Sequence, residues 1–153
     1  MIFPEGHYTS INLYDYISRY IMPGDVVLDA GCGSGNLTER AQGQCRCKIY
    51  AYDIDPEAVK TTRGRVTDSE VYLADSIGKT PLRAYNVVVA NLDPGPAVEL
   101  LRDIGPYLAS NALIMITLAE IVPEGLIGDL GFHIIEKTHD LMFNSFLLKR
   151  RSR

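Results

Sequence analysis

The sequence feature that most constrains the fold is the stretch from Asp25 to Asn36, DVVLDAGCGSGN. Its apolar run ends in an acidic residue, Asp29. Three glycines then follow at alternate positions: Gly31, Gly33 and Gly35. This order predicts a buried strand, a tight turn and the start of a helix. Because glycine has no β-carbon and a helix start presents free N–H groups, such a turn lets the backbone lie directly against a nucleotide-like ligand.

The length and composition are those of one globular domain, which we predict to cover residues 1–153. Apolar residues make up 46% of the chain and charged residues 22%, which is ordinary for a globular protein. The formal charge of −4 gives no global attraction to nucleic acid or to an anionic membrane. No apolar run reaches the roughly 20 residues that span a bilayer, and no signal peptide is visible. We therefore expect a cytoplasmic protein with no membrane partner.

The two ends of the chain differ in character from the rest. Residues 1–10 show little periodicity and predict an N-terminal arm. Residues 149–153, KRRSR, predict a basic tail. Such a run is either a solvated tail or an arm that contacts nucleic acid or an acidic partner.

The cysteines Cys32, Cys45 and Cys47 form neither a disulfide framework nor a zinc-ligand pattern. We therefore expect reduced thiols and no metal site.

Hydrophobic periodicity predicts helices that alternate with strands along the chain. The predicted strands cover residues 26–28, 47–53, 71–75, 85–91, 112–118, 132–138 and 142–149. The predicted helices cover residues 11–20, 36–41, 56–65, 96–108 and 124–130, and residues 76–84 predict a loop. This alternation predicts an α/β fold: a doubly wound, mostly parallel seven-stranded sheet with helices on both faces and an antiparallel strand pair at the C-terminus.

Polar side chains mark the ends of successive predicted strands: Asp29, Asp53, Asp75 and Asn91. Ligands of doubly wound sheets bind at the carboxyl ends of the strands. Asp53 follows the glycines by about 20 residues, the spacing at which a carboxylate accepts ribose hydroxyls. Asp75 can accept a hydrogen bond from an adenine amine, and Ile54 can pack on the adenine face. The pattern therefore predicts an adenosine-containing ligand.

A nicotinamide dinucleotide is the rival ligand, since Asp53 would bind its ribose equally well. Its fingerprint is Gly-x-Gly-x-x-Gly, in which the third glycine allows close packing of helix on sheet. Counted from Gly31, that third position is Asn36, and counted from Gly33 it is Thr38. Neither position holds the glycine or alanine that this close packing requires. A P-loop is excluded because no Lys-Ser or Lys-Thr pair follows the glycines.

Two segments resemble motifs of one known family. Residues 27–35, VLDAGCGSG, resemble the first motif of the Rossmann-like (class I) methyltransferases that use S-adenosyl-L-methionine (SAM). Residues 52–59, YDIDPEAV, are similar to the ribose-binding strand end of the same family. The resemblance covers nearly the whole chain, and it implies a SAM cofactor and a methyl-transfer activity.

The resemblance also implies how the ligand is shared among the predicted site residues. Asp29 and the glycines would flank the methionine part of SAM. Asp53 would bind the ribose, and Asp75 with Ser76 would lie at the adenine edge. Asn91 would complete the cofactor site at the end of the fourth strand.

The end of that fourth strand indicates the subfamily. Residues 87–91, VVVAN, followed by Pro94 and a helix, are similar to the ribosomal-protein lysine methyltransferases. Residues 6–10, GHYTS, look like a shifted version of a Gly-His-x-Thr-Thr-like element in that group. A second group, which methylates adenine, guanine or glutamine nitrogens, carries Asn/Asp-Pro-Pro-aromatic here. Asn91 or the pair Asp93-Pro94 matches only its beginning.

Methyl transfer from a sulfonium needs alignment and proton handling from the protein. The side-chain carbonyl of Asn91 can hold the hydrogens of an acceptor amine and aim its lone pair. Asp93 can do the same or take the proton, and His7 is the third candidate. Two alternatives stay open: Asn91 as a cap for the next helix, and His7 as a surface residue of the arm.

Three functional hypotheses follow. The first is a SAM-dependent methyltransferase that acts on a nitrogen acceptor, with a protein favoured as the macromolecular substrate. The second is a nucleic-acid base N-methyltransferase that uses the basic tail as a phosphate contact. The third is a non-catalytic SAM-binding subunit that serves a partner, and either a homo-oligomer or a partner subunit is compatible with the sequence.

Overall fold

The computed structural model describes residues 11–140 and 142–151 of the chain. Its helices are α1 (Ile11–Tyr20), α2 (Asn36–Cys45), α3 (Pro56–Arg65), α4 (Pro94–Asp103) and α5 (Gly125–Asp129), with single 3-10 turns at Ile77–Lys79 and Gly105–Tyr107. Its strands are β1 (Val27–Ala30), β2 (Ile49–Asp53), β3 (Ser69–Leu73), β4 (Tyr85–Asn91), β5 (Leu108–Ala119), β6 (Phe132–Asp140) and β7 (Phe143–Arg150).

The strands form a single seven-stranded sheet with the order β3-β2-β1-β4-β5-β7-β6. Neighbours from β3 to β5 run parallel, whereas β7 pairs antiparallel with both β5 and β6. The predicted fold class is confirmed. Because the strand order reverses between β1 and β4, the topological switch point lies at the ends of these two strands, where such sheets bind their ligands.

Helices cover both faces of the sheet, so the central strands are mainly apolar, apart from Asp29 in β1 and Asn86 and Asn91 in β4. On one face, α1 and α2 bury a cluster that includes Ile17, Leu37, Val89 and Met115, and α3 packs beside it on β2 and β3. On the other face, α4 and α5 bury a larger cluster. The consecutive buried residues of β1 and β4 fit this arrangement, because a strand that is covered on both faces has no polar side.

Several predicted boundaries are wrong by a few residues. Gly43 does not end α2, which continues to Cys45 and stops where Arg46 adopts a left-handed φ of 52°. The third strand ends at Leu73, so Asp75 lies two residues beyond it, in the approach to a 3-10 turn. The fifth strand begins at Leu108, four residues before its predicted start. In each case long-range pairing or capping overrides local periodicity.

The predicted basic tail is wrong in its first two residues, because Lys149 and Arg150 belong to β7. Lys149 pairs with Leu113 on one side and His133 on the other. The guanidinium Nη1 of Arg150 donates to the carbonyl of Gly105 at 2.9 Å.

The prediction of reduced thiols is wrong for two of the cysteines. Cys45 and Cys47 form a disulfide, with their Cα atoms 5.3 Å apart. The left-handed backbone of Arg46 turns the chain sharply between α2 and β2, and this turn brings the two side chains within bonding range. Among the described residues, Cys32 is a free and buried thiol. Within the same ranges no helix is long and apolar enough to cross a membrane.

Candidate active site

The glycine loop (residues 31–35) links β1 to α2 and is held by backbone hydrogen bonds. Gly31, Gly33 and Gly35 have φ values of 73°, 54° and 90°, the left-handed region that other residues rarely adopt. The N–H groups of Gly31 and Cys32 donate to the carbonyl of Tyr52 at 2.9 and 3.0 Å. These two hydrogen bonds fix the glycine loop to the carboxyl end of β2 and restrict its backbone conformation.

Asp53, the last residue of β2, is joined directly to this loop. Its Oδ2 accepts a hydrogen bond from the N–H of Gly33 at 2.9 Å, and its Oδ1 accepts one from the N–H of Asp55 at 2.9 Å. Each carboxylate oxygen keeps a second lone pair for a further donor. Ile54 follows with 70% of its surface exposed, an apolar side chain beside a fixed carboxylate.

Asp29, in β1, is buried, with 1% of its surface exposed. Its Oδ2 accepts a hydrogen bond from Thr38 Oγ1 at 2.6 Å. Its Oδ1 has no hydrogen-bond partner in the described part of the chain. Burial raises the pKa of Asp29 to about 7; the Thr38 hydrogen bond opposes this rise, and the charge of Asp53 adds to it. A buried carboxylate with one unused oxygen suits a cationic group.

Asp75 and Ser76 lie beyond β3, on the side of β2 away from β1. Asp75 is exposed and pairs with Lys79 Nζ at 3.1 Å, which lowers the pKa of the Asp75 carboxyl. Both residues line a small cavity of about 30 Å³ together with Leu92, which precedes α4, and residues along α4 from Pro96 to Asp103. A β-carbon at Gly31 would collide with the side chain of Leu92, so the segment after β4 closes over the glycine loop.

A larger, open groove of about 410 Å³ lies between α1, α2 and α3. Its lining includes Tyr14, Arg40 and Arg65 but none of the predicted site residues. The chemistry that the sequence predicts is concentrated at the strand ends, so groove size is a poor guide to the site here.

Asn91, the last residue of β4, begins a row of polar side chains that runs across the sheet. Asn91 pairs in register with Thr117 of β5. Thr117 pairs with Ser145 of β7, and Ser145 pairs with Thr138 of β6. Thr117 and Ser145 are buried, and their hydroxyl oxygens lie 3.4 Å apart. From α1, the hydroxyl of Tyr16 lies 2.9 Å from Thr138 Oγ1 and donates to the Ser145 carbonyl at 3.1 Å. We call these five residues the polar row.

The sequence did not predict the polar row. β4 contributes an amide and β5, β7 and β6 contribute one hydroxyl each, and only the order β4-β5-β7-β6 makes these side chains neighbours. A single threonine in the otherwise apolar run of β5 was the available signal.

Asp93 occupies the cap position of α4, where its carbonyl accepts the N–H of Ala97 at 2.9 Å. The alternative that Asn91 caps this helix is therefore wrong. Asp93 is exposed and follows Asn91 by two residues, so the structure keeps these two candidates at one strand end. His7, the third candidate, lies outside the described residues.

Comparison with known proteins identifies the family. The family model described as "Ribosomal protein L11 methyltransferase (PrmA)" matches residues 5–127. The chain belongs to this family. A ribosomal protein L11 methyltransferase from Carboxydothermus hydrogenoformans is 31% identical over 148 residues, which is 90% of this chain and 48% of the relative. One from Helicobacter hepaticus is 29% identical over 146 residues, 90% of this chain and 44% of the relative. The chain thus spans a little under half the length of these two relatives.

Solved structures agree with the fold. A ribosomal protein L11 methylase from Lactobacillus delbrueckii subsp. bulgaricus superposes with a TM-score of 0.85 at 17% identity, over 95% of this chain and 81% of that chain. Aeropyrum pernix fibrillarin, in complex with natively bound SAM, gives a TM-score of 0.74 at 14% identity, over 90% of this chain and 76% of that one. At these identities the likeness concerns the fold alone.

Proposed function

We propose that this chain is a SAM-dependent methyltransferase that transfers a methyl group to a nitrogen atom of a protein. The observation that carries the proposal is the hydrogen bond from the Gly33 N–H to the Asp53 carboxylate, which joins the two motifs into one site. Membership of the family and the printed names of its relatives, ribosomal protein L11 methyltransferases, support a protein acceptor.

The residues present fit SAM. The free lone pairs of Asp53 would accept the two ribose hydroxyls, and Ile54 would cover the adenine. Asp75 and Ser76 would lie at the adenine edge. The glycine loop would hold the methionine part, since its backbone can approach without β-carbons. When bound, SAM supplies an activated methyl group on a sulfonium.

Asp29 provides a physical reason for the amino-acid end of SAM to lie at this loop. One of its oxygens is occupied by Thr38, and the other has no partner among the described residues. An ammonium group, directly or through a water, would favour the charged form of this carboxyl and offset the cost of its burial.

Asn91 would act on the acceptor. Its amide oxygen would accept the hydrogens of the incoming amine and so aim the lone pair along the line of displacement. Asp93, exposed and two residues further on, would accept the proton that the methylated nitrogen releases. His7 stays a third candidate for this proton.

Labelling tests the proposal. The purified chain is incubated with cell extract and SAM that carries a radiolabelled methyl group, and the products are digested with protease or with nuclease. We expect a labelled band that protease destroys and nuclease leaves intact. A band destroyed by nuclease would instead establish the nucleic-acid acceptor. SAM binding without any labelled band would favour the non-catalytic subunit.

A further inference from the structure

The helix that begins at the ribose carboxylate also holds the glycine loop. Thr62, in α3, is completely buried. Its Oγ1 donates to the carbonyl of Gly33 at 3.0 Å and lies 3.4 Å from the sulfur of Cys32. A β-carbon at Gly35 would lie only 3.1 Å from the Cα of Thr62. The glycine at position 35 is thus required for α3 to approach the loop this closely.

Arg65 lies three residues after Thr62, on the same side of α3. Its Nη1 donates to the carbonyl of Ser34 at 3.3 Å and to the side-chain oxygen of Asn36. Its Nη2 pairs with Glu39 of α2 at 3.1 Å. Together, Thr62 and Arg65 form hydrogen bonds to four of the five residues from position 32 to position 36, and α3 packs closely against the fifth, Gly35.

The backbone N–H and carbonyl of Gly33 both form hydrogen bonds to the segment that runs from Asp53 to Thr62. Its N–H donates to Asp53 at the end of β2, and its carbonyl accepts from Thr62 two turns into α3. Because glycine has little intrinsic preference among backbone conformations, these two bonds set the orientation of the peptide groups on either side of Gly33. Without the Thr62 hydroxyl, the Gly33 carbonyl would lose its donor and the loop would gain alternative conformations.

We infer that Thr62 is a positioning residue for the amino-acid part of the cofactor: it fixes the glycine loop in the shape that receives this part. The inference rests on the proposed function, because it assumes that the loop faces the methionine portion of SAM. Arg65 supports the same loop from the solvent side. Asp53 makes no hydrogen bond to Thr62 and is held independently by the N–H of Asp55, so the ribose contact provides an internal reference.

The test compares SAM with methylthioadenosine, which keeps the adenosine but lacks the amino-acid part. Calorimetry is done on the wild type, on Thr62→Val, which removes the hydroxyl at similar volume, and on Thr62→Ser, which restores it. We expect Thr62→Val to weaken SAM binding about tenfold, with methylthioadenosine changed by less than about twofold and Thr62→Ser close to the wild type. Thr61→Val is the matched control, since Thr61 is the exposed neighbour on the same helix.

Two results would overturn the inference: Thr62→Val binding SAM as tightly as the wild type, or losing both ligands equally. If Thr62→Val does not fold, Arg65→Met is tested in its place. A smaller loss of SAM affinity is then expected, again with little change in the affinity for methylthioadenosine. A wild type that binds neither ligand removes the proposed function itself. If the wild type binds SAM and both variants bind it equally tightly, the proposed function stands and only the role assigned to α3 is refuted.

Discussion

The carboxyl ends of the parallel strands form two halves, one that we propose to bind the cofactor and one that we propose to bind the acceptor, and these halves are built in different ways. In the cofactor half, which comprises the glycine loop, Asp53 and α3, backbone N–H groups and a buried threonine fix the geometry. In the acceptor half, which comprises Asn91, Asp93 and the polar row, side chains from four strands meet. Ile121, just after β5, and Met142, just before β7, are exposed apolar side chains, 84% and 70% accessible.

The largest effect on catalysis is expected from Asn91→Ala, because the amide of Asn91 is predicted to align the acceptor amine as well as to contact the cofactor. Loss of the amide that aligns the amine should lower kcat at saturating SAM about 100-fold or more, while loss of its cofactor contact should raise the Kd for SAM by no more than about tenfold. Methyl-transfer kinetics and calorimetry measure the two quantities. Asn111→Ala, at the opposite end of β5, is the control. A kcat within a few-fold of the wild type would remove Asn91 from the mechanism.

Asp29 should make stability depend on pH through the cofactor half. Burial raises the pKa of Asp29 from 3.8 to about 7, so between these values the native state holds a proton that the unfolded state has lost. The free energy of unfolding should therefore fall as pH rises from about 4 to 7, by up to about 4 kcal/mol from this group, and level off above 7.

Urea unfolding over this pH range measures the effect, and Asp29→Asn should lose the corresponding slope. The same pH profile in both proteins would contradict the assignment. Because a cationic ligand favours the ionised carboxyl, SAM affinity should rise with pH up to about 7 and then become constant.

Asp53→Ala should weaken SAM binding by about 1–3 kcal/mol, because two ribose hydroxyls and the N–H groups of Gly33 and Asp55 lose their acceptor. At saturating SAM, kcat should stay close to that of the wild type, in contrast to the Asn91→Ala result. Unchanged SAM affinity would refute the ribose assignment. Calorimetry with the product, S-adenosylhomocysteine, provides a second reading of the same contact.

The smallest effect is expected from Tyr16→Phe, at the far end of the polar row. It removes the hydroxyl that contacts Thr138 and the Ser145 carbonyl, so it should cost about 0.5–1.5 kcal/mol of stability without changing SAM affinity. Thermal unfolding with and without SAM measures both. A change in SAM affinity would show that the two halves are coupled.

The same contrast explains what the sequence could predict. The glycine loop and Asp53 lie in short consecutive motifs, so their spacing was enough to predict a nucleotide-type site. Asp75 was predicted at a strand end but lies two residues past it, because β3 stops at Leu73. The fold class followed from alternation of helices and strands, which depends little on exact boundaries.

What the sequence could not predict depends on long-range pairing or on unusual backbone. Thr117 lies beside Asn91 because β5 pairs with β4, and Ser145 lies beside Thr117 because β7 inserts between β5 and β6. Lys149 continues β7 because β5 and β6 both supply partners, and Arg150 continues it because β6 supplies one. The Cys45–Cys47 bridge depends on the left-handed conformation of Arg46, which no local pattern indicates.

Calorimetric titration of the wild-type chain with SAM, with NAD as the competing cofactor, tests most directly whether the cofactor half is a SAM site. The glycine loop, the fixed Asp53 and the unused oxygen of Asp29 predict SAM binding with a Kd of about one micromolar or tighter. They predict no heat from NAD, since Asn36 stands where a dinucleotide turn requires a third glycine. Binding of NAD, or the absence of SAM binding, would contradict the account.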